Sequence, residues 1–243
     1  MAIFFIITVI ILSLAIVWLV DKYDPKKYKG MILLGLWSLI IILFYMTFMS
    51  IYGEIKFNQE KEKRYKIVIE NLKDIRDSQL AHRTVNGNFQ NNWDSLVKFI
   101  ETEKFTITQR RDSTVIDKVL TKRYGVDTTK DIVIIDTLGF VSVIDSLFGA
   151  DDRYKTMMNV PVGKKDQVFK LETGYVPQNG MNIPVFEVSV DKSVLLYDQD
   201  KNLVNKEKEM KSVEEVNGPT LKVGSMEEVN TNGNWPKNYS SEQ

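Results

Sequence analysis

The sequence predicts an α+β protein: an N-terminal two-helix transmembrane hairpin, then a long amphipathic stalk helix, then a small antiparallel-sheet domain. Three observations carry this reading. Residues 1–20 and 30–53 hold no charged side chain, although charged residues make up 26% of the 243. Across residues 59–85 apolar side chains recur at spacings of three and four, the period of one helix face. Beyond residue 100, short alternating segments separated by turn residues read as strands.

The first span, residues 3–20, is eighteen residues of mostly Ile, Leu, Val and Phe. At about 1.5 Å per residue it just crosses a hydrocarbon core of roughly 30 Å. The second, residues 31–52, has 22 residues, with Trp37 and Tyr45 inside it and Tyr52 near its exit, where amphipathic rings favour the interface. The first run starts directly behind Met1 and Ala2 and ends in Trp18, Leu19 and Val20. It has neither the basic start nor the small-residue end of a cleaved signal, so an uncleaved anchor is expected. The connector, residues 21–30 (DKYDPKKYKG), allows only a tight turn, which makes residues 1–53 a hairpin. Lys22, Lys26, Lys27 and Lys29 crowd that connector, whereas only Lys56 lies close to the exit of the second span. The bias favours a cytoplasmic connector. The protein is thus expected in the inner (cytoplasmic) membrane with two spans and a periplasmic C-terminal domain; the opposite orientation would place that domain in the cytoplasm. Neither span contains Asp, Glu, Lys, Arg or His, so they read as anchors rather than as an ion pathway.

Residues 54–85 form the expected stalk. Tyr65, Val68, Leu72, Ile75, Gln79 and His82 share one stripe, while Lys63, Lys66, Lys73, Asp74 and Asp77 fill other positions. Glu60 with Arg64 and Glu62 with Lys66 are i,i+4 pairs in the favourable order, each worth a few tenths of a kcal/mol. Asn86-Gly87-Asn88 ends the helix. The α+β domain then covers residues 86–223. Asn92 is placed to cap a short helix whose Trp93, Leu96, Val97 and Ile100 share a face. Residues 104–109 alternate as a strand, residues 113–124 read as a short helix, and residues 131–138 (DIVIIDTL) are apolar on both faces and so read as a central strand. Residues 141–148 are another strand candidate. Residues 167–176 and 183–190 alternate on either side of Asn179-Gly180, a hairpin signature. Residues 194–197 form a further apolar run, residues 206–216 (KEKEMKSVEEV) read as a solvated helix or loop, and residues 224–243 as an irregular tail tied down by Trp235.

Lys plus Arg (32) cancels Asp plus Glu (32), and the chain has no Cys and one His. This argues against a strongly basic nucleic-acid binder, a disulfide scaffold, a cysteine-based zinc site and histidine-based catalysis. No nucleophile elbow, phosphate-binding glycine loop, dinucleotide fingerprint or H-E-x-x-H occurs, and neither an enzyme nor a cofactor is expected. Asp198, Asp200, Asn202 and Glu209 match positions 1, 3, 5 and 12 of a calcium loop. Against that, Leu203 stands where the loop needs Gly and Lys206 brings a positive charge to the ninth position, which favours a polar turn. Asp151-Asp152-Arg153 and Arg110-Arg111-Asp112 read as solvated loops, and His82, at the end of the stalk stripe, as a partly buried packing residue or an interface pH sensor.

The order of apolar helix, amphipathic helix, loop with Gly87 and Phe89, helical turn with Trp93-Asp94 and Leu96, and small antiparallel sheet resembles the pseudopilins of type II secretion and type IV pilus systems over roughly residues 31–190. In wording, KEKRYKIVIENLKDIRDSQLAHRTVNGNF and VGSMEEVNTNGNWPK resemble a family of uncharacterised membrane-anchored envelope proteins of Bacteroidota. The resemblance implies an inner-membrane anchor with a periplasmic domain. Unlike a pseudopilin, the chain has two apolar stretches and no basic leader ending in Gly before a Glu at the fifth mature position. These features lead to an expected non-enzymatic assembly or scaffold protein that docks components of a secretion, gliding or pilus-like envelope machine. Its expected contacts are the lipid bilayer, other inner-membrane or periplasmic proteins, and a homo- or hetero-oligomer through the stalk. Tyr65, Val68, Leu72, Ile75, Phe89, Trp93 and Trp235 are the partner-facing candidates, unless they cover the domain's own core. The alternative is a membrane-tethered periplasmic ligand or calcium sensor using Asp198, Asp200, Asn202 and Glu209 or a pocket in the sheet.

Overall fold

A computed structural model describes residues 11, 13–15, 17, 18, 29–236 and 239. The chain divides into two units, Met1–Asn58 and Gln59–Gln243, so the stalk residues from Gln59 onward belong with the domain. In the first unit, the described part of the first expected span is helical; the rest of residues 3–20 and residues 21–28 of the connector lie outside the described residues, and so does the turn of the expected hairpin. Helix α1 (Lys29–Asn86) follows. It is the one described helix long and apolar enough to cross a membrane, and none of its most apolar stretch is buried. Ser38 Oγ donates to Gly35 O (2.8 Å) and Thr47 Oγ1 to Leu43 O (2.9 Å). These two hydroxyls are therefore satisfied within the helix, as a hydrocarbon surround requires.

In the second unit the element order is the C-terminal part of α1, α2 (Trp93–Thr102), β1 (Lys104–Ile116), α3 (Lys118–Tyr124), β2 (Thr129–Ser142), α4 (Val143–Leu147), β3 (Lys170–Gln178), β4 (Met181–Asp191), α5 (Lys192–Leu195), α6 (Lys201–Lys208) and β5 (Thr220–Gly224). Among the described residues there are two antiparallel sheets: β1 pairs only with β2, and β3, β4 and β5 make a three-stranded sheet with β4 in the middle. The end of α1 is fixed by His82, whose Nδ1 donates to Asn88 O (2.7 Å), whose Nε2 lies 3.1 Å from the Asn86 amide and whose ring packs on Phe99 at 4.7 Å. The packing role expected of His82 holds. Asn92 caps α2 by accepting from Ser95 N at 3.0 Å, as its position before the apolar face requires.

The core draws on Val68, Ile69, Leu72 and Ile75 of α1, Leu96 and Ile100 of α2, Phe186 and Val188 of β4, and Leu221 and Val223 of β5, all with no exposed area. The Phe89 ring meets the Phe186 ring at 4.6 Å. In β4 Val185, Phe186, Val188, Ser189 and Val190 are buried, on both faces of the strand, the mark of a central strand. The β3–β4 hairpin closes on Asn179 and Gly180, both at positive φ (52° and 76°), the turn that keeps strand twist in register. Described residues of the tail do not hang free: Gly224 N donates to Asn232 O (3.0 Å), Asn234 N to Lys222 O (3.0 Å), and the Asn234 side chain bonds both Asn217 O and Thr220 O. Trp235 lies over Gly233, where a Cβ would sit 2.3 Å from its ring.

Several expectations are corrected. Residues 131–138 lie in a two-stranded ribbon and not in the middle of a sheet. Residues 113–116 continue β1, which leaves only residues 118–124 helical, and residues 143–147 are helix where a strand was expected. Asp117 explains the first boundary: its carboxylate accepts from Val119 N and Leu120 N and so starts α3. The apolar run at residues 194–197 is helix and turn.

Candidate docking surface

The sequence-predicted partner stripe is spent inside the protein. Tyr65, Val68, Leu72 and Ile75 have no exposed area and Phe89 is 8% exposed, so these residues cover the domain's own core. Trp93 and Trp235 are only half-buried.

Of the four calcium candidates, the carboxylates of Asp198 and Asp200 have other tasks. Asp198 receives both arms of the Arg64 guanidinium, at 2.6 Å from Nη1 and 2.8 Å from Nη2. This hydrogen bonding holds its carboxyl down to about 2. Arg64 also bonds Glu60 and Leu195 O. Asp200 caps α6 through Asn202 N (2.8 Å) and Leu203 N (3.2 Å), and Glu209 terminates that helix. Among the described residues no three carboxylate or histidine side chains converge in a way that would hold a metal ion.

An unexpected cluster lies where solvated charge was read. Glu207, 3% exposed, takes Lys61 Nζ on Oε2 (3.0 Å) and Lys192 Nζ (2.9 Å) with the Tyr65 hydroxyl (3.2 Å) on Oε1. Lys61 also bonds Glu215 (3.0 Å), and Lys192 spends its remaining donors on the carbonyls of Glu207 and Val216. Burial pulls the Lys61 ammonium down, but the bonds to Glu215 and Glu207 more than reverse this, and its pKa is raised. For Lys192 burial wins and the shift is downward. Burial, followed by the charge of Glu207, pushes the Tyr65 phenol up. Every donor of Lys192 is occupied, and among the described residues no buried side-chain nitrogen or oxygen lacks a partner. A saturated cluster of this kind fastens α1 to α5 and α6; it offers no free group for catalysis. Nothing in the sequence marks Lys61, Lys192 and Glu207 as neighbours, since the two lysines are 131 positions apart.

An open groove of about 650 Å³ runs along α1 between Ile67, Asn71, Asp74 and Asp77 on one side and Arg153, Thr156 and Pro161 on the other. Its arginine is already held by Asp74 (2.7 Å) and Asp151 (2.9 Å), so Arg153 is not poised to receive an anion.

The exposed apolar surface outside the membrane-length segment concentrates on the β1–β2 ribbon. β1 and β2 run antiparallel from Lys104 opposite Ser142 to Ile116 opposite Thr129, with a register shift after Ile107 that sets Leu138 out as a bulge. Alternation then sorts the ribbon into two faces. On one, Ile132 and Ile134 are half-buried beside Ser113 and Val115. On the other, Val133, Ile135 and Phe140 are 44%, 65% and 66% exposed, with Leu138 in the bulge at 63%. At the far end α3 and its following loop expose Val119, Tyr124 and Val126. The base of the ribbon is tied down by Val143 N donating to Glu103 O (3.0 Å). A contiguous row of exposed aliphatic and aromatic side chains on a two-stranded ribbon is the kind of surface that marks an interaction site. The alternation of residues 131–138 was visible in the sequence; their exposure was not. No protein-family model, curated protein or solved structure matches the chain.

Proposed function

We propose that this is a non-enzymatic docking protein, fixed in the inner membrane through its apolar N-terminal region, whose domain binds protein components of an envelope machine such as a secretion, gliding or pilus-like assembly. The single observation that carries this reading is the exposed apolar row Val133, Ile135, Leu138 and Phe140 on the ribbon, in a molecule whose buried charges are saturated by one another. Two membrane spans and a periplasmic domain complete the proposal, on the strength of the charge-free stretches and the four connector lysines. The pseudopilin-like order of elements in the sequence supports the kind of machine. The docking surface is the ribbon and not the stalk stripe, because the stripe faces inward.

The test uses the full-length chain in its native host. Crosslinking in intact cells followed by mild detergent extraction is expected to co-purify a defined protein with the wild type, and to lose it with Ile135→Thr/Phe140→Ser while the melting temperature stays the same. Co-purification that survives the double substitution refutes the ribbon as the docking surface. A cysteine in place of Val213, which is 93% exposed, is expected to react with a membrane-impermeant thiol reagent in spheroplasts; protection there places the domain in the cytoplasm.

A further inference from the structure

We infer that the outer edge of β2 pairs with the same edge of a second copy of this chain, antiparallel about Val133, to give a four-stranded sheet in the order β1-β2-β2-β1. The inference deepens the docking reading, in that it names one occupant of the ribbon. It starts from a mismatch between composition and placement. Ile132-Val133-Ile134-Ile135 supplies aliphatic side chains to both faces, the pattern of a strand in the middle of a covered sheet, yet among the described residues β2 pairs with β1 alone and is an edge strand. A lone two-stranded ribbon is only marginally stable, and a third and fourth strand cure that.

The other strand edges of the molecule are protected, and this one is not. β3 carries Pro177 on its edge, and β5 is covered by Asn232 and Asn234 of the tail. The middle of β1 is Gln109-Arg110-Arg111-Asp112, a polar edge of the sort that keeps strands apart. In β2, four consecutive aliphatics occupy the corresponding stretch and no proline interrupts them.

The edge is also complementary to itself in one register. With Val133 opposite its own copy, Ile132 falls opposite Ile134, Thr129 opposite Thr137, and Lys130 opposite Asp136, so each dimer gains two opposite-charge pairs flanking an aliphatic centre. Lys130 and Asp136 are about half exposed; Asp136 also holds Arg111 at 3.0 Å and Lys130 lies 4.0 Å from Asp117, so in the dimer each charge is shared between its own chain and the neighbour. Asp131 falls opposite Ile135, but its carboxylate is turned toward β1, where it accepts from Thr114 Oγ1 at 2.9 Å. Moving the centre half a residue toward Ile134 sets Asp131 against Asp136, and moving it a full residue sets Lys130 against Leu138. Either change loses both charge pairs.

The chain has no cysteine, so one introduced thiol reports on one contact. In either type of antiparallel pair the Cα atoms lie about 4.5–5.5 Å apart, within reach of a disulfide. Mild oxidation of full-length Val133→Cys in detergent micelles is expected to give a disulfide-linked homodimer, several-fold more than Ile135→Cys or Val213→Cys under the same conditions. Independently, Lys130→Glu and Asp136→Lys are each expected to weaken the dimer about ten-fold, and the two together to restore it. A chain that stays monomeric with an unchanged melting temperature, equal crosslinking at all three positions, or failure of the double reversal to restore the dimer overturns the inference. If Val133→Cys forms no homodimer while a different protein still co-purifies through the ribbon, the docking reading stands without this one; a homodimer with no other co-purifying protein leaves the pairing and removes the envelope partner.

Discussion

β4 and β2 are both long strands rich in Val, Ile and Phe, and the protein treats them in opposite ways. β4 lies between β3 and β5 with Val185, Phe186, Val188 and Val190 buried, whereas β2 has one neighbour and exposes Val133, Ile135 and Phe140. The hydrophobic effect is indifferent to which strand an isoleucine occupies; burial at about 25 cal/mol per Å² comes only where another surface is present. The three-stranded sheet finds that surface within the chain. The ribbon does not, and its apolar area stays exposed. On the proposed docking reading, fold stability and association reside in different parts of one domain, and substitutions in the two parts should separate cleanly.

The sharpest separation is expected at Glu207. Replacing it with Ala leaves Lys192, with no exposed area, facing only the carbonyls of residues 207 and 216, and leaves Lys61 with Glu215 alone. Removing one partner from a buried ionic cluster costs about 3–5 kcal/mol, a large share of a typical stability of about 5–15 kcal/mol. Thermal and denaturant unfolding of the full-length protein in detergent should show that loss, with Glu207→Gln intermediate because the amide keeps one acceptor. A loss below about 1 kcal/mol would mean that the cluster is wet, and the contrast between a closed core and an open ribbon would blur.

A smaller effect is expected at Asp198, and its sign depends on pH. Hydrogen bonding to Arg64 holds the folded-state carboxyl down to about 2, against an ordinary value of about 3.9 in the unfolded chain. A carboxyl depressed on folding stabilises above its unfolded value, and the contribution disappears as pH falls from about 4 to about 2. The Asp198 side chain is 40% exposed, so the pair contributes about 1 kcal/mol or less. Asp198→Asn should lower the melting temperature by a few degrees at pH 7 and by nothing measurable near pH 2. A gap of equal size at both ends would show that the ion pair is not its source.

How much of this was legible in the sequence follows from the range of each signal. The α1 stripe, the Asn92 cap and the Asn179-Gly180 hairpin depend on residues within a few positions of one another, and each formed where expected. The same local signal identified Tyr65, Val68, Leu72 and Ile75 as one apolar face, but periodicity gives a face and not its neighbour, and the neighbour is the domain's own core. Local spacing suggested calcium at Asp198 and Asp200, and a distant residue, Arg64, took one of those carboxylates. The Lys61, Glu207 and Lys192 cluster was invisible because its members meet only after the chain has folded. In β2 the apolar pattern implied a central strand, whereas the chain gives it one strand neighbour and leaves one face exposed.

Ile135→Thr carries the smallest expected change in stability and bears most directly on the comparison. Its side chain is 65% exposed, threonine keeps the branched Cβ that strands favour, and surface substitutions of this kind stay within about 0.5 kcal/mol. Unfolding of the variant should therefore superimpose on the wild type, while its association, read by crosslinking or by sedimentation in detergent, should weaken. A loss of about 2 kcal/mol or more would be the behaviour of a packed core residue. The exposed face of β2 would then already be covered within the folded chain, and the row from Val133 to Phe140 would lose its claim to an outside partner.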